Sequence, residues 1–199
     1  IPAALTEADA HFGLANRLAA PFATTAFLAY PIEGRDASKY RVIGRPIPAR
    51  SRAPADRASA REMFGLPRSG RAVLVVGGSL GARALNLAAV EAFCAEGPPI
   101  LHLCGERDYD ELAPHVSRPD YRLVAFTDDF GAALGASDLA VSRSGGVVWE
   151  LAAAGMPALL VPYPEATADH QYKNALHFSK GGGAQVVREP ELRLREQVD

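Results

Sequence analysis

Val73-Leu74-Val75-Val76-Gly77-Gly78-Ser79-Leu80-Gly81-Ala82-Arg83 is the stretch of the chain that decides its fold. Its four apolar residues, three of them β-branched, predict a strand that is buried on both faces. The glycines after them predict a tight turn, and the apolar spacing from Ala84 to Phe93 predicts a helix. A strand, a glycine turn and a helix in this order are typical of the start of a βαβ unit.

The glycine turn also suggests a binding site. A turn that opens a helix presents unpaired backbone N–H groups at the positive end of the helix dipole, and glycines allow a phosphate to come close to the backbone. We therefore expect a phosphate or pyrophosphate site, although a tight connection that binds nothing would have the same residues. The spacing matches neither the Walker A loop nor the dinucleotide motif G-x-G-x-x-G.

The composition is that of a globular domain. The chain has 199 residues, of which 48% are hydrophobic and 22% charged. No apolar run approaches the about 18 residues of a membrane-spanning helix. The first residues lack the basic region of a signal peptide and an initiator Met, so we expect the chain to be cut from a longer protein. Cys94 and Cys104 lack metal-like spacing and are expected to be buried thiols. No basic patch interleaved with aromatic residues indicates nucleic acid as a partner.

From Val73 onward, predicted strands alternate with predicted helices. The strands are expected at 73–76, 100–104, 121–125, 138–142, 157–161 and 184–187. The helices are expected near 82–95, 108–116, 129–136, 146–154 and 168–180. This alternation with short loops predicts an α/β fold with a Rossmann-like, doubly wound parallel sheet, whose ligand lies beyond the carboxyl ends of the strands.

The part of the chain before Val73 contains shorter elements. Strands are expected at 1–5, at 26–29 and from Tyr40, with a loop at 6–9. Helices are expected at 11–20 and 59–64. Two prolines within a polar stretch near 45–50 predict a stiff connector, so we place a domain boundary there, between residues 1–45 and 46–199.

A second glycine turn follows the strand that is expected to end at Ser142. The turn, Arg143-Ser144-Gly145-Gly146, opens a helix that carries Glu150 one turn inside it. A carboxylate near a helix N-terminus stays ionised and can accept hydrogen bonds from both hydroxyls of a ribose, although a surface glutamate favoured by the helix dipole would occupy the same position. Farther on, Gln171 and Asn174 share a helical face, and their amides can bind sugar hydroxyls.

Several motifs occur in an order and spacing that resemble the peptidoglycan N-acetylglucosaminyltransferases of GT-B glycosyltransferase family 28, which turn lipid I into lipid II. The motifs are Glu7 with Gly13-Leu14-Ala15-Asn16, Gly44-Arg45-Pro46, residues 77–83, Phe126-Thr127-Asp128-Asp129, Arg143-Ser144-Gly145-Gly146, Glu150-Leu151-Ala152-Ala153-Ala154-Gly155, Asp169-His170-Gln171 and Asn174-Ala175. The resemblance implies the GT-B fold and inverting transfer of N-acetylglucosamine from UDP-N-acetylglucosamine to lipid I.

The resemblance also assigns residues to donor binding. They are Asp9, Arg45, Gly78, Ser79, Gly81, Thr127, Phe130, Arg143, Ser144, Gly145, Gly146, Val147, Val148, Glu150, His170, Gln171 and Asn174. By this resemblance the loop at Ser79 holds the diphosphate, the backbone near Thr127 and Phe130 contacts uracil, and Glu150 binds the ribose. Gly146 to Val148 line the nucleotide pocket, and the amides of Gln171 and Asn174 hold the sugar.

Three departures from the family pattern affect these assignments. The usual His-Glu-Gln-Asn is Thr6-Glu7-Ala8-Asp9 here, so a carboxylate replaces an amide near the sugar. Pro48 occupies the place of an arginine that contacts the pyrophosphate, and Arg45 or Arg50 are candidates to replace it. The turn before Glu150 is one residue shorter, with Val147 where Thr or Ser is usual.

By the same resemblance, the acceptor site, the catalytic base and the contact with the membrane surface belong to an N-terminal domain of which residues 1–45 are the tail. The last helix of the C-terminal domain is also expected to be missing. We therefore expect no catalytic residue, no metal and no cofactor in this chain, with UDP-sugar as its own ligand. His11, His102, His115 and His177 are expected to be structural or solvated.

The resemblance places the whole enzyme in the cytoplasm, peripheral on the inner face of the cell membrane. Three alternatives remain open. The chain is also compatible with a non-catalytic nucleotide-sugar-binding subunit that needs a membrane-associated partner. A UDP-N-acetylglucosamine 2-epimerase, which shares the GT-B architecture, and a glycolipid synthase are the others.

Overall fold

The computed structural model describes residues 2–54, 56–78 and 82–198. Two parallel sheets form within these ranges, one of three strands and one of six. Ser79 and Gly81, which the sequence assigns to the phosphate turn, lie outside the described residues. In the described part of the chain, no helix is long and apolar enough to cross a membrane.

The smaller sheet consists of β1 (Ala4–Glu7), β2 (Thr25–Leu28) and β3 (Tyr40–Val42), in that order. Between β1 and β2 the chain forms α1 (Leu14–Ala19), which continues into a short 3₁₀ helix (Ala20–Phe22). The sheet therefore begins as one βαβ unit followed by a third parallel strand.

Two predicted boundaries in this region are wrong. The first strand is not confined to 1–5, because Thr6 and Glu7 pair with Phe27 and Leu28 of β2. The first helix begins at Leu14 rather than at residue 11, because Gly13 has extended backbone angles (φ −61°, ψ 156°).

The larger sheet has the strand order β6-β5-β4-β7-β8-β9, and all neighbouring strands are parallel. Its strands are β4 (Val73–Val76), β5 (Ile100–Leu103), β6 (Tyr121–Val124), β7 (Leu139–Ser142), β8 (Ala158–Leu160) and β9 (Ala184–Val186). The helices are α2 (Arg57–Met63), α3 (Arg83–Phe93), α4 (Glu106–Leu112), α5 (Phe130–Ala136), α6 (Val147–Ala153), α7 (His170–Lys180) and α8 (Leu194–Val198). The predicted doubly wound α/β fold is confirmed.

The central strand β4 shows why the fold forms. All four of its residues are buried, and alternate side chains join different hydrophobic clusters. Leu74 packs in one cluster, whereas Val73 and Val75 pack in the other. Burying one such side chain contributes about 1.5–3 kcal/mol. Because successive strands run outward on both sides of β4, the strand order reverses between β4 and β7, and this switch point determines where the cleft lies.

A buried polar network ties β5 to α3 and α4. Asn86 Nδ2 donates to the Cys104 carbonyl and to Asp108 Oδ2, both at 2.8 Å, which leaves its Oδ1 as an acceptor. Oδ1 lies 3.0 Å from His102 Nε2, and His102 Nδ1 lies 2.8 Å from the Tyr121 hydroxyl. The imidazole therefore carries its proton on Nε2, and burial lowers the pKa of His102 to about 3.

Both cysteines are free thiols. Cys104 is buried, as expected, and burial raises the pKa of its thiol to about 11. Cys94 is half-buried. The described residues contain no cluster of three or more metal-ligating side chains.

Aromatic side chains join the smaller sheet to the larger one. Tyr30, which follows β2, is 1% exposed, and its ring lies 5.2 Å from that of Trp149 and 5.1 Å from that of His177. Phe178 completes the cluster, 5.1 Å from Trp149. Gly44 has φ +75°, and a methyl group there would come within 3.2 Å of the Trp149 ring. The chain is therefore closely packed where the two sheets meet, and the domain boundary near 45–50 stays a prediction.

Candidate functional site

A cleft of about 360 Å³ opens at the carboxyl ends of the central strands, at the switch point of the larger sheet. Its walls are formed by Arg45, Arg50, Ser51, Val76, Gly78, Leu103, Gly105, Ala125, Phe126, Thr127, Asp128, Phe130, Gly146, Val147 and Glu150. The predicted donor-binding residues that meet there are Arg45, Gly78, Thr127, Phe130, Gly146, Val147 and Glu150. Residues that are far apart in the sequence thus share one surface.

The first glycine turn, which is predicted to bind phosphate, contributes Gly78 to the cleft. This residue has φ +96°, a backbone conformation that residues other than glycine rarely adopt. Farther along, α3 begins at Arg83 without an acidic residue in its first turn, and no described residue caps it through a side chain. The first turn of this eleven-residue helix thus carries no negative charge of its own, and the positive end of a helix dipole favours an anion.

Glu150 lies in the first turn of α6 and lines the cleft. One of its carboxylate oxygens, Oε1, accepts a hydrogen bond of 2.5 Å from the Ser51 hydroxyl. Ser51 is 3% exposed and belongs to a 3₁₀ helix, Ala49–Ser51, that forms the end of the proline-rich connector. Ser51 cannot be identified from the sequence, because nothing around it distinguishes it from an ordinary serine in a loop.

Two arginines bring positive charge to the cleft. The guanidinium of Arg45 lies over Gly146, the residue that precedes α6, such that a methyl group on Gly146 would come within 2.5 Å of Nη1. Arg50 also lines the cleft. Both arginines named as candidates to replace the family arginine at Pro48 are thus at the site. Arg45 can approach α6 because Gly146 has no side chain.

The far wall of the cleft comes from the segment between β6 and α5. Asp129 caps α5 by accepting a hydrogen bond of 2.9 Å from the Ala132 N–H, and its own N–H donates to Thr127 Oγ1 at 3.2 Å. Phe126 is 54% exposed and lines the cleft. An exposed aromatic ring in a cleft offers a stacking surface to a planar base. Phe126 belongs to one of the motifs of the sequence, but the resemblance gives it no role.

Asn174 is placed differently from its predicted role. It is 1% exposed, and its Nδ2 donates to Asp9 Oδ1 and to the Ser144 carbonyl, both at 3.0 Å. Its Oδ1 accepts from the Ala10 N–H at 2.8 Å. The structure therefore brings Asp9, Ser144 and Asn174 together, but both amide hydrogens of Asn174 are bound to protein acceptors. Direct contact with a sugar is not supported by this placement.

Gln171 and His170 lie at the start of α7. Gln171 Oε1 accepts a hydrogen bond of 3.0 Å from the Tyr163 N–H, and its Nε2 lies 3.8 Å from where a methyl group on Gly145 would be. His170 Nδ1 lies 2.9 Å from the Thr167 carbonyl oxygen. Gln171 therefore faces the second glycine turn, while His170 supports the segment before its own helix.

Three predicted donor contacts point into the protein. Arg143 is 6% exposed, donates to the Val161 and Pro162 carbonyls at 3.2 Å, and pairs with Glu189 at 2.5 Å. The Ser144 and Val148 side chains are buried as well. Among the described residues the Ser144 hydroxyl has no hydrogen-bond partner, whereas the Arg143 guanidinium is held by two carbonyls and a carboxylate. The Arg143 guanidinium is therefore occupied by protein groups, and donor contacts of Ser144 and Val148 stay predictions.

Comparison with known proteins places this geometry in a family. Residues 72–199 match the family described as "Glycosyltransferase family 28 C-terminal domain". A crystal structure of MurG from Acinetobacter baumannii superposes with a TM-score of 0.75 at 27% identity, covering all of this chain and 57% of that one. This likeness confirms the GT-B fold. A calicheamicin glycosyltransferase, CalG4, has a TM-score of 0.63 at 16% identity over 88% of this chain and 43% of its own, and shows the fold alone.

Sequence relatives agree with the structural likeness. The chain is 38% identical to a "UDP-N-acetylglucosamine--N-acetylmuramyl-(pentapeptide) pyrophosphoryl-undecaprenol N-acetylglucosamine transferase" of Salinibacter ruber, over 96% of the chain and 54% of the relative. It is 39% identical to the protein of the same name from Burkholderia vietnamiensis, over 100% of the chain and 55% of the relative. The chain thus spans about half the length of these curated relatives. It belongs to glycosyltransferase family 28.

Proposed function

We propose that this chain is the donor-binding part of an inverting glycosyltransferase that moves N-acetylglucosamine from UDP-N-acetylglucosamine to lipid I, which gives lipid II in peptidoglycan synthesis. The observation that carries the proposal is the meeting of Gly78, Arg45 and Glu150 in one cleft at the switch point of the sheet. The names of the relatives support the choice of sugar and acceptor.

Each part of a UDP-sugar has a chemical counterpart in the cleft. The turn at Gly78 and the two arginines supply donors and positive charge for the diphosphate. The Glu150 carboxylate accepts hydrogen bonds from ribose hydroxyls, and the Phe126 ring offers a face for the uracil. We assign the sugar to the surface between the second glycine turn and Gln171, which lie next to each other.

The same groups stabilise the leaving group during transfer. When the glycosidic bond to UDP breaks, negative charge develops on the diphosphate. The Arg45 guanidinium lines the cleft before the reaction, and α3 begins shortly after the turn at Gly78. We assign the stabilisation of this charge to these two groups. The acceptor hydroxyl must lose a proton to a base. We assign that base to the part of the relatives that this chain does not span, and we propose neither metal nor cofactor.

The acceptor and the membrane are proposed partners of the whole enzyme. Lipid I is linked to undecaprenol, so an enzyme that uses it has to work at a membrane surface. We propose a cytoplasmic enzyme that is peripheral on the inner face of the cell membrane. Recognition of lipid I and contact with the membrane are assigned to the N-terminal domain.

Calorimetric titration of this chain with UDP, UDP-N-acetylglucosamine and ADP-ribose tests the donor assignment. We expect the uridine ligands to bind and ADP-ribose to fail. Glu150→Gln keeps the shape of the side chain but removes its charge, so UDP should bind about 10- to 100-fold more weakly. Glu196→Gln, also in the first turn of a helix but in α8, is the matched control and should bind like the parent chain. Equal affinity for ADP-ribose and UDP would contradict the proposal.

Product analysis tests the activity. We expect the chain alone to form no lipid II from lipid I and UDP-N-acetylglucosamine. Formation of lipid II would show that the chain carries its own base and acceptor site. Conversion of UDP-N-acetylglucosamine in the absence of lipid I would instead indicate the 2-epimerase.

A further inference from the structure

The hydrogen bond between Ser51 and Glu150 links two parts of the chain that are 99 residues apart. Ser51 comes from the connector after the smaller sheet, and Glu150 comes from α6 in the larger one. Both residues line the cleft, and Ser51 is almost fully buried. At 2.5 Å the contact has the length of a strong hydrogen bond to a charged acceptor.

The backbone around Ser51 is held in place by close packing on α5. Gly131, the second residue of α5, lies directly beneath the connector. A methyl group on Gly131 would overlap the Arg52 carbonyl and come within 2.9 Å of the Arg50 carbonyl oxygen. The Ser51 N–H also donates to the Pro48 carbonyl at 3.0 Å. The hydroxyl of Ser51 is therefore presented to Glu150 from a fixed backbone.

The direction of this hydrogen bond determines what the pair can recognise. The Ser51 proton is donated to Oε1, so the Ser51 oxygen has only acceptor lone pairs left, and Glu150 is an acceptor throughout. Together they form a surface of acceptors whose orientation is fixed on both sides. Such a surface suits a ligand group with two neighbouring hydroxyl donors, such as the 2′- and 3′-hydroxyls of a ribose.

We propose that Ser51 is a positioning residue for ribose recognition, which holds the Glu150 carboxylate so that it selects ribonucleotides over 2′-deoxyribonucleotides. The inference rests on the proposed function, because it needs a uridine nucleotide in the cleft. Without the Ser51 hydroxyl, the carboxylate loses its fixed orientation and part of its preference for two hydroxyls. The diphosphate and base contacts do not involve Ser51.

The test compares the affinities for UDP and 2′-deoxy-UDP in five chains. They are the parent, Ser51→Ala, Ser51→Thr, Glu150→Gln and the double variant Ser51→Ala/Glu150→Gln. We expect the parent to prefer UDP by about tenfold, the loss of one hydrogen bond to a charged group. Ser51→Ala should narrow this preference to about threefold or less, and Ser51→Thr should restore it. In Glu150→Gln, the further change Ser51→Ala should alter neither affinity.

The outcomes separate this inference from the proposed function. A parent chain that fails to bind UDP overturns both. A parent chain that binds UDP while Ser51→Ala weakens UDP and 2′-deoxy-UDP by the same factor, or changes neither, overturns the inference alone, because a merely structural serine would not change the preference between the two sugars. Thermal unfolding of each variant confirms that the comparison is between folded proteins.

Discussion

The amide of Asn174 donates a hydrogen bond of 3.0 Å to the carboxylate of Asp9, and this contact joins α7 to the loop after β1. The same side chain binds the Ala10 N–H and the Ser144 carbonyl. Asn174 is thus the point at which the smaller sheet, the second glycine turn and α7 meet. Its place in the sequence suggested an amide for a sugar, whereas its burial makes it a brace between these segments.

Replacement of Asn174 should destabilise this junction. Asn174→Ala leaves the Ala10 N–H and the Ser144 carbonyl without their partner, so the free energy of unfolding should fall by about 1–3 kcal/mol. Urea unfolding followed by circular dichroism measures the change. Gln185→Ala, at an exposed position in β9, is the control and should have almost no effect. Equal stability of Asn174→Ala and the parent chain would contradict the bracing role.

Removal of the Arg45 guanidinium should weaken phosphate binding selectively. In Arg45→Ala we expect UDP to bind about tenfold more weakly, while uridine, which lacks the diphosphate, binds as before. The difference in UDP affinity between the parent chain and Arg45→Ala should shrink at high salt, because Arg45 is exposed and its charge is screened. Arg68→Ala is the matched control, since its side chain is 82% exposed and does not line the cleft. If Arg45→Ala weakens the binding of UDP and uridine by the same factor, Arg45 does not act on the diphosphate.

A methyl group on Gly131 should disrupt the connector. Alanine is the better helix former by about 1 kcal/mol, but in Gly131→Ala the new group overlaps the Arg52 carbonyl, so we expect a net loss of about 1–3 kcal/mol of stability. Because the connector carries Ser51, the preference for UDP over 2′-deoxy-UDP should narrow as well.

Gly183→Ala is the control for this variant, because a methyl group there meets no atom within 4 Å among the described residues. Thermal unfolding and titration of both variants give the comparison. If the two substitutions have the same effect, the close contact between α5 and the connector does not determine stability.

His102 should make the fold sensitive to acid. Its pKa is about 3 in the folded chain and about 6.5 when unfolded, so between these values only the unfolded chain binds the proton. The free energy of unfolding should therefore fall as the pH falls through this range, by up to about 1.4 kcal/mol for each pH unit. At pH above the unfolded value the group contributes no pH dependence.

The comparison of His102→Gln with the parent chain isolates this contribution from that of the carboxylates. Urea unfolding at several pH values between 7 and 4 should give a shallower loss of stability for the variant, whatever its stability at pH 7. Parallel curves for the two chains would show that His102 does not remain neutral in the folded protein.

Local patterns account for what the sequence predicted well. The core strands are runs of buried apolar residues, so β4 was predicted with its correct bounds, and the other strands of the larger sheet differ by one or two residues at their ends. The glycine turns and Glu150 follow predicted strands within a few residues, so the local sequence pattern is enough to predict them. The sheet then brings them to one edge, as parallel topology requires.

Other features of the site depend on the path of the chain in three dimensions, which local sequence patterns do not show. Ser51 meets Glu150 only because the connector crosses α5. Arg143 belongs to the second glycine turn, which the resemblance assigns to donor binding, yet Glu189 and two carbonyls hold its guanidinium in the interior. The burial of Asn174 likewise results from a loop 164 residues earlier in the chain.

The aromatic cluster at the junction of the two sheets has an optical consequence. Trp149 is the only tryptophan of the sequence, it precedes Glu150 in α6, and its ring packs against Tyr30 from the smaller sheet. The intrinsic fluorescence of tryptophan in this protein therefore originates entirely at the place where the sheets meet, one residue from the cleft. A shift in that emission when a nucleotide is added reports a change at the junction, without any attached dye.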